Sequence, residues 1–167
     1  MRIRRERPDD HAAIRALTEA AFGGPLEATV VDRLRAEADP VLSLVADEGR
    51  ALVGHVMFSP ATLPGHPGLG LMALGPMAVA PREQGKGVGS ALVRAGLDAC
   101  RTLGRGAVVL VGHPGYYPRF GFVPGARFGL ASEFDTPPET FMVLELEPGH
   151  LRTAAGTVRF HEAFRGG

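Results

Sequence analysis

The sequence predicts an α/β fold in three layers, built on a sheet of mixed strand directions. Three observations carry that expectation. "LMALGPMAVA" and "AVVLVG" are apolar on both faces, as buried strands are. Segments with helical apolar spacing lie near the N-terminus and again between those two runs. Strands and helices mix without the strict alternation of a doubly wound sheet, so strand directions are mixed. The 167 residues suit one domain, spanning 1–167, with enough interior to form a core unaided.

Taken in order, "RIRRE" is a short strand. Pro8, Asp9 and Asp10 open a helix, Asp9 or Asp10 accepting from the free first-turn amides. Ile14, Leu17 and Ala21 mark its buried stripe, and Gly23-Gly24 ends it. Pro25 suits a first helical residue, and Leu26, Val30, Val31 and Leu34 give a second stripe running to about Ala38. "VLSLVADEGRALVGHVMFSP" reads as two strands joined at Glu48-Gly49-Arg50. A Pro/Gly loop leads into "LMALGPMAVA". Pro76 cannot donate to a ladder, so a bulge or splay is expected at Gly75-Pro76. A helix follows with Val88, Leu92, Ala95, Ala99 and Leu103 on one side and Gly104 at its left-handed C-cap. "AVVLVG" is the next strand, "HPGYYPRFGF" a turn-rich aromatic segment, and residues 124 to 140 a long loop. "TFMVLELE" is a late strand, and "TVRFHEAF" a final strand or turn.

Bulk chemistry narrows the function classes. Net charge is zero, so nothing advertises a nucleic-acid or membrane-surface partner. The single cysteine, Cys100, excludes an internal disulfide framework and a cysteine-built zinc cluster. The six histidines lack metal-ligand spacing, so no metal is expected. "MRIRRERPDD" has no apolar run after it and no stretch reaches the length of a membrane span, which makes the cytoplasm the expected location.

The most informative stretch is "PREQGKGVGSAL", positions 81 to 92, which holds the only lysine, Lys86. Gln84, Gly85, Lys86, Gly87, Val88, Gly89 and Ser90 fall between a buried strand and a helix. The first amides of a helix lack intrahelical partners, the helix dipole is positive there, and glycines let backbone approach an anion. Such a corner suits a pyrophosphate. It is not a P-loop, whose lysine follows a longer spacer, and Ser90 stands where the dinucleotide fingerprint needs glycine.

The spacing Q-x-x-G-x-G at Gln84, Gly87 and Gly89 resembles the acyl-CoA motif of the GNAT superfamily of N-acetyltransferases. "LGPMAVAPREQGKGVGSALVRAGL" resembles that family's central strand, phosphate turn and helix, and "VVLVGHPGYYPRFGF" its next strand and aromatic corner, ending in Y-x-x-x-G-F. "VGHVMFSP" and "VRFHEAF" resemble its YhbS-like bacterial branch. The resemblance covers nearly the whole chain. It implies a three-layer α/β/α fold whose central mixed, mostly antiparallel sheet is splayed at the central strand, and transfer of acetyl from acetyl-CoA to a primary amine of a small molecule or protein. It implies that Met77, Ala78 and Val79 pair with the pantetheine arm and that an amide of this strand, Met77's first, meets the thioester oxygen. It gives Tyr117 the role of acid toward the departing thiolate, with Tyr116 the neighbouring alternative. The central strand carries no carboxylate, so the base stays open among His113, His55, Glu27, Glu133 and water. His113, after the next strand, is preferred. The missing carboxylate also admits a non-catalytic acyl-CoA sensor. A monomer and a homodimer are both compatible with the chain.

Overall fold

The computed structural model describes residues 1–165. Strands β1 (Arg2–Arg5), β2 (Leu42–Asp47), β3 (Leu52–Ala61), β4 (Leu71–Val79), β5 (Ala107–Val111), β6 (Val123–Pro124) and β8 (Phe141–Glu145) form one sheet in the order β1-β2-β3-β4-β5-β8-β6. Only the β4–β5 pair is parallel. Strands β7 (Leu130–Ser132) and β9 (Gly156–Val158) form a separate parallel pair. Helices α1 (His11–Phe22) and α2 (Leu26–Glu37) cover one face and α3 (Val88–Thr102) the other. The expected three-layer mixed sheet is therefore the observed one.

Alternation along the strands decides which helix each side chain meets. Met72, Leu74, Val56 and Phe58 pack with Val88, Leu92, Leu97 and Cys100 beneath α3. Val45 and Met57 pack with Ile14, Val31 and Leu34 beneath α1 and α2. Leu71, Ala73, Val109 and Val143 lie on that second face too, under Leu130, Val158 and Phe160, so the β7–β9 pair extends the α1/α2 layer.

Three local expectations change. Asp10 does not cap α1: its carboxylate accepts from the Arg7 N–H at 2.6 Å and from Arg4 at 2.8 Å, because a guanidinium from β1 competes for it. Of the expected stripe of α3, Val88 and Leu92 are buried, Ala95 and Ala99 pack half-buried at its edge, and Leu103 is 43% exposed; the stripe centres on Val93, Gly96, Leu97 and Cys100. Residues 124 to 140 are not one loop but two 3-10 turns flanking β7. The other boundaries agree closely, including Gly23 and Gly104, both at positive φ beyond their helices.

The break at Pro76 is a bulge. Val56 faces Met77 and Phe58 faces Leu74, so Gly75 and Pro76 together oppose Met57 alone. Gly75 takes φ +135, a conformation few other residues adopt.

Candidate active site

Strands β4 and β5 pair only from Leu71–Ala73 to Ala107–Val109. Beyond that, β5 stays with β8 as far as Val111, while β4 stays with β3 as far as Val79. The sheet opens between them. An antiparallel ladder alternates inward and outward peptide groups. Ala80 N–H donates to Val53 C=O at 2.9 Å, so residues 80 and 78 bond to β3. The peptide groups of Met77 and Val79 consequently face the opening. Ala78, expected with them, turns its own toward His55 and packs its side chain on Leu17 of α1.

The glycine turn sits beside this opening. Gly85 and Gly87 take φ +79 and +90, and α3 begins at Val88. The first helical bond of α3 runs from Ala91 N–H to Gly87 C=O. Among the described residues, no protein acceptor takes the N–H groups of residues 85 to 90. Six consecutive donors at a helix N-terminus form an anion cradle. Nothing lies within 4 Å of a methyl built on Gly85 or Gly87, whereas one on Gly89 would meet the Tyr116 hydroxyl at 3.3 Å and Met77 Cε at 3.5 Å. Gly89 thus keeps the cradle floor open. Gln84 does not aim its amide into the cradle; Nε2 donates to Val79 C=O at 3.1 Å and ties the turn to β4. Lys86 is largely exposed and faces Glu83 at 3.5 Å. A cavity of about 430 Å³ runs along these groups, bounded also by Phe22, Tyr116 and Arg119.

The two adjacent tyrosines separate cleanly. Tyr116 shares a 2.8 Å hydrogen bond with Ser90 Oγ and belongs to the cradle. Tyr117 lines a second cavity, of about 440 Å³, with Leu74, Gly75, Pro76 and Met77. Burial, with a lesser contribution from Tyr116, pushes the Tyr117 hydroxyl up to about 12, so it stays protonated at physiological pH. Its ring packs against Phe122 and Tyr116 and lies over Gly112, where an added methyl would be 2.7 Å from Cε2. The two cavities meet at Phe22 and Met77, which line both.

The candidate bases lie far apart in role. His113 is exposed on a separate groove with Pro114, Thr136 and Thr140; its carbonyl accepts from Tyr116 N–H at 3.1 Å. His55 is wholly buried, with Nε2 2.8 Å from Ser43 Oγ, and burial drops it to about 4. Glu133 accepts from Phe160 N–H at 2.5 Å and pairs with Arg165 at 2.9 Å, fixing the C-terminal segment. Glu27, on the first turn of α2, lines the Tyr117 cavity and is its one carboxylate.

Two groups of site residues left little trace in the sequence. Arg119 stacks its guanidinium 4.3 Å above the Tyr116 ring and brings a cation to the cradle. Its position two residues after Tyr117, within the aromatic corner, was the available signal. Phe134, Phe160 and Phe164 form one wall of the second cavity, with ring centroids 5.2 and 6.0 Å apart, and come from distant segments that the β7–β9 pairing and Glu133 bring together. Among the described residues, no group of three or more His, Cys, Asp or Glu could hold a metal ion, and no helix is long and apolar enough to cross a membrane.

A sheet that parts beside its one parallel strand pair, with an amide-rich helix start at the parting, is the architecture of an acyl-CoA-dependent acetyltransferase. The sequence model of the acetyltransferase (GNAT) domain matches residues 2–125, and the chain belongs to that family. It is 37% identical to the uncharacterized N-acetyltransferase YhbS of Escherichia coli K12, over 98% of both chains. The crystal structure of E. coli YhbS in complex with CoA superposes with a TM-score of 0.91 at 34% identity, covering 98% of this chain and 91% of that one. A Brucella melitensis GNAT acetyltransferase in complex with acetyl-CoA superposes at 0.80 with 40% identity, covering 98% and 97%.

Proposed function

We propose that this protein transfers acetyl from acetyl-CoA directly to a primary amine. The observation that carries the reading is the run of six unpaired N–H groups, residues 85 to 90, beside the opening between β4 and β5. That cradle fits a diphosphate by donor count, helix polarity and absence of side-chain bulk. Relatives with 34% and 40% identity are described as complexes with CoA and acetyl-CoA, which supports the same ligand here.

In this reading Gly85, Lys86, Gly87, Val88, Gly89 and Ser90 hold the diphosphate by their amides, and Arg119 adds charge at the rim. Met77 and Val79 offer backbone partners to the pantetheine arm. When bound, acetyl-CoA supplies a thioester whose carbonyl carbon takes the amine's lone pair as the C–S bond breaks. The N–H of Met77 stabilises negative charge on the carbonyl oxygen. Glu27, as the one carboxylate of the cavity, takes the proton the amine must lose. Tyr117 keeps its hydroxyl proton and donates to the sulfur that leaves with the bonding electrons. Its raised value of about 12 lies above the roughly 8.5 of an ordinary thiol, so the hydroxyl acts mainly as a hydrogen-bond donor.

Thiol release with acetyl-CoA and a panel of primary amines tests the activity. Tyr117→Phe is expected to lower kcat by about 100-fold, the lower end of what such donors contribute. CoA affinity should change less than about threefold, since Tyr117 lines the other cavity. Unchanged turnover in Tyr117→Phe would remove that residue from the mechanism. Binding of CoA without acetylation of any amine would favour a sensor.

A further inference from the structure

We propose that the natural acceptor is a small primary amine carried on an apolar, preferably aromatic, body with no second charge. The inference rests on the acetyltransferase reading and deepens it by naming the acceptor class.

The cavity beside Tyr117 is walled mainly by apolar side chains, although it must receive a cation. Its outer wall is Phe22, Leu26 and Val30 from α1 and α2, faced by Phe134, Phe160 and Phe164. Among the described residues no lysine or arginine lines it, so it offers no cation to a carboxylate or phosphate on the acceptor. Glu27 is its single charge, and the neighbouring Glu133 is committed to Arg165 and Phe160 N–H. One ammonium can therefore be neutralised, and a second would enter without a partner.

Exposure makes the same point independently. Among the described residues, five large hydrophobic side chains are exposed, and three of them, Phe22, Leu26 and Val111, line this one cavity. Apolar surface gathered at a cavity mouth marks a ligand site. Phe22 and Leu26 are 46% and 50% exposed and gain burial only when something apolar lies against them. Size favours a small molecule: about 440 Å³ is in the range of pockets that enclose one. A peptide acceptor would leave its backbone N–H and C=O groups against phenylalanine rings with few partners.

The experiment measures kcat/KM with saturating acetyl-CoA for 2-phenylethylamine, ethanolamine, putrescine, phenylalanine and a short peptide with a free N-terminal amine. Calorimetric CoA binding is recorded on the same preparation. We expect 2-phenylethylamine to exceed each of the others by at least about 30-fold, the scale set by burying a phenyl ring or an unpaired charge. Leu26→Asp, at a half-exposed first-turn position where an acid suits the helix, should fold normally and bind CoA as before. It should lower kcat/KM for 2-phenylethylamine by about tenfold and narrow the gap to putrescine. Failure of CoA to bind would overturn the acetyltransferase reading itself. Normal CoA binding with ethanolamine, putrescine, phenylalanine or the peptide used as well as 2-phenylethylamine would overturn the acceptor class alone. If no amine turns over, the CoA-saturated protein binding 2-phenylethylamine no more tightly than ethanolamine would overturn it too.

Discussion

His55 illustrates how much a single buried side chain decides. It was a candidate base because histidine titrates near neutrality. Inside β3 it is wholly buried, and burial opposes its charged form more strongly than the Glu6 carboxylate 3.9 Å away favours it, while Arg35 nearby opposes it further. Glu6 is itself desolvated, yet hydrogen bonds from Arg35 and Ser43 outweigh that and hold it below the ordinary carboxylate range. Nε2 of His55 meets Ser43, and Nδ1 has no partner among the described residues. The residue is a neutral member of a polar network, not a proton shuttle. The sign of its effect on stability follows. His55 is held near 4 in the fold and returns to about 6.5 when unfolded, so the unfolded chain binds the extra proton between those values. Its contribution is complete above pH 6.5 and is lost as pH falls toward 4, at no more than roughly 1.4 kcal/mol per pH unit. Chemical denaturation from pH 7 to 4 should show a steeper loss in the native chain than in His55→Gln, which does not titrate there. Parallel curves would contradict this assignment.

Helix α3 is where sequence and packing meet at the element scale. Its start was legible because glycines at positive φ and a change of period are local signals, and Gly85 and Gly87 do take that conformation. The centre of its buried face was placed to one side because Ala95 and Ala99, which pack only at the edge of the core, read by hydropathy like central positions, whereas the closest contact is set by Gly96. A methyl on Gly96 would fall 2.1 Å from Phe58 Cε1, and one on Gly54 would meet Leu92 and Val88 at 2.8 Å. Two glycines, one on the helix and one on β3, let α3 lie close to the sheet and so fix the cradle beside Met77. Glycine there reads from the sequence only as a poor helix former. Gly96→Ala should therefore destabilise the protein by about 2 kcal/mol, overpacking against Phe58 exceeding the helix-propensity gain of roughly 1 kcal/mol. Thermal melting should show a lowered midpoint; a raised one would mean that Phe58 has room to move. The bulge at Gly75-Pro76 was legible for the complementary reason that proline's missing donor is a local fact with a fixed consequence for a ladder.

Across the whole molecule, two cavities meet at Phe22 and Met77, one walled by peptide donors and one by phenyl rings. The first was readable in the sequence because most of it comes from one stretch, residues 77 to 90, with Tyr116 and Arg119 added from the aromatic corner. The second was not, because it is assembled from α1, α2, β4 and β5 together with Phe134, Phe160 and Phe164, through pairings that no local pattern encodes. The same distance, 48 residues from Glu27 to Gly75 of the bulge, left Glu27 as one candidate base among several and His113 favoured on chain proximity alone, although His113 opens onto another groove. The central claim is that the peptide N–H groups of residues 85 to 90 hold a diphosphate. Calorimetric titration of the full chain with CoA and, separately, with pantetheine, which keeps the arm and lacks the diphosphate, tests it most directly. CoA should bind with one site per chain and at least about 100-fold more tightly than pantetheine, the equivalent of one or two charge-assisted hydrogen bonds. Equal affinity for the two ligands, or no heat with CoA, would contradict it.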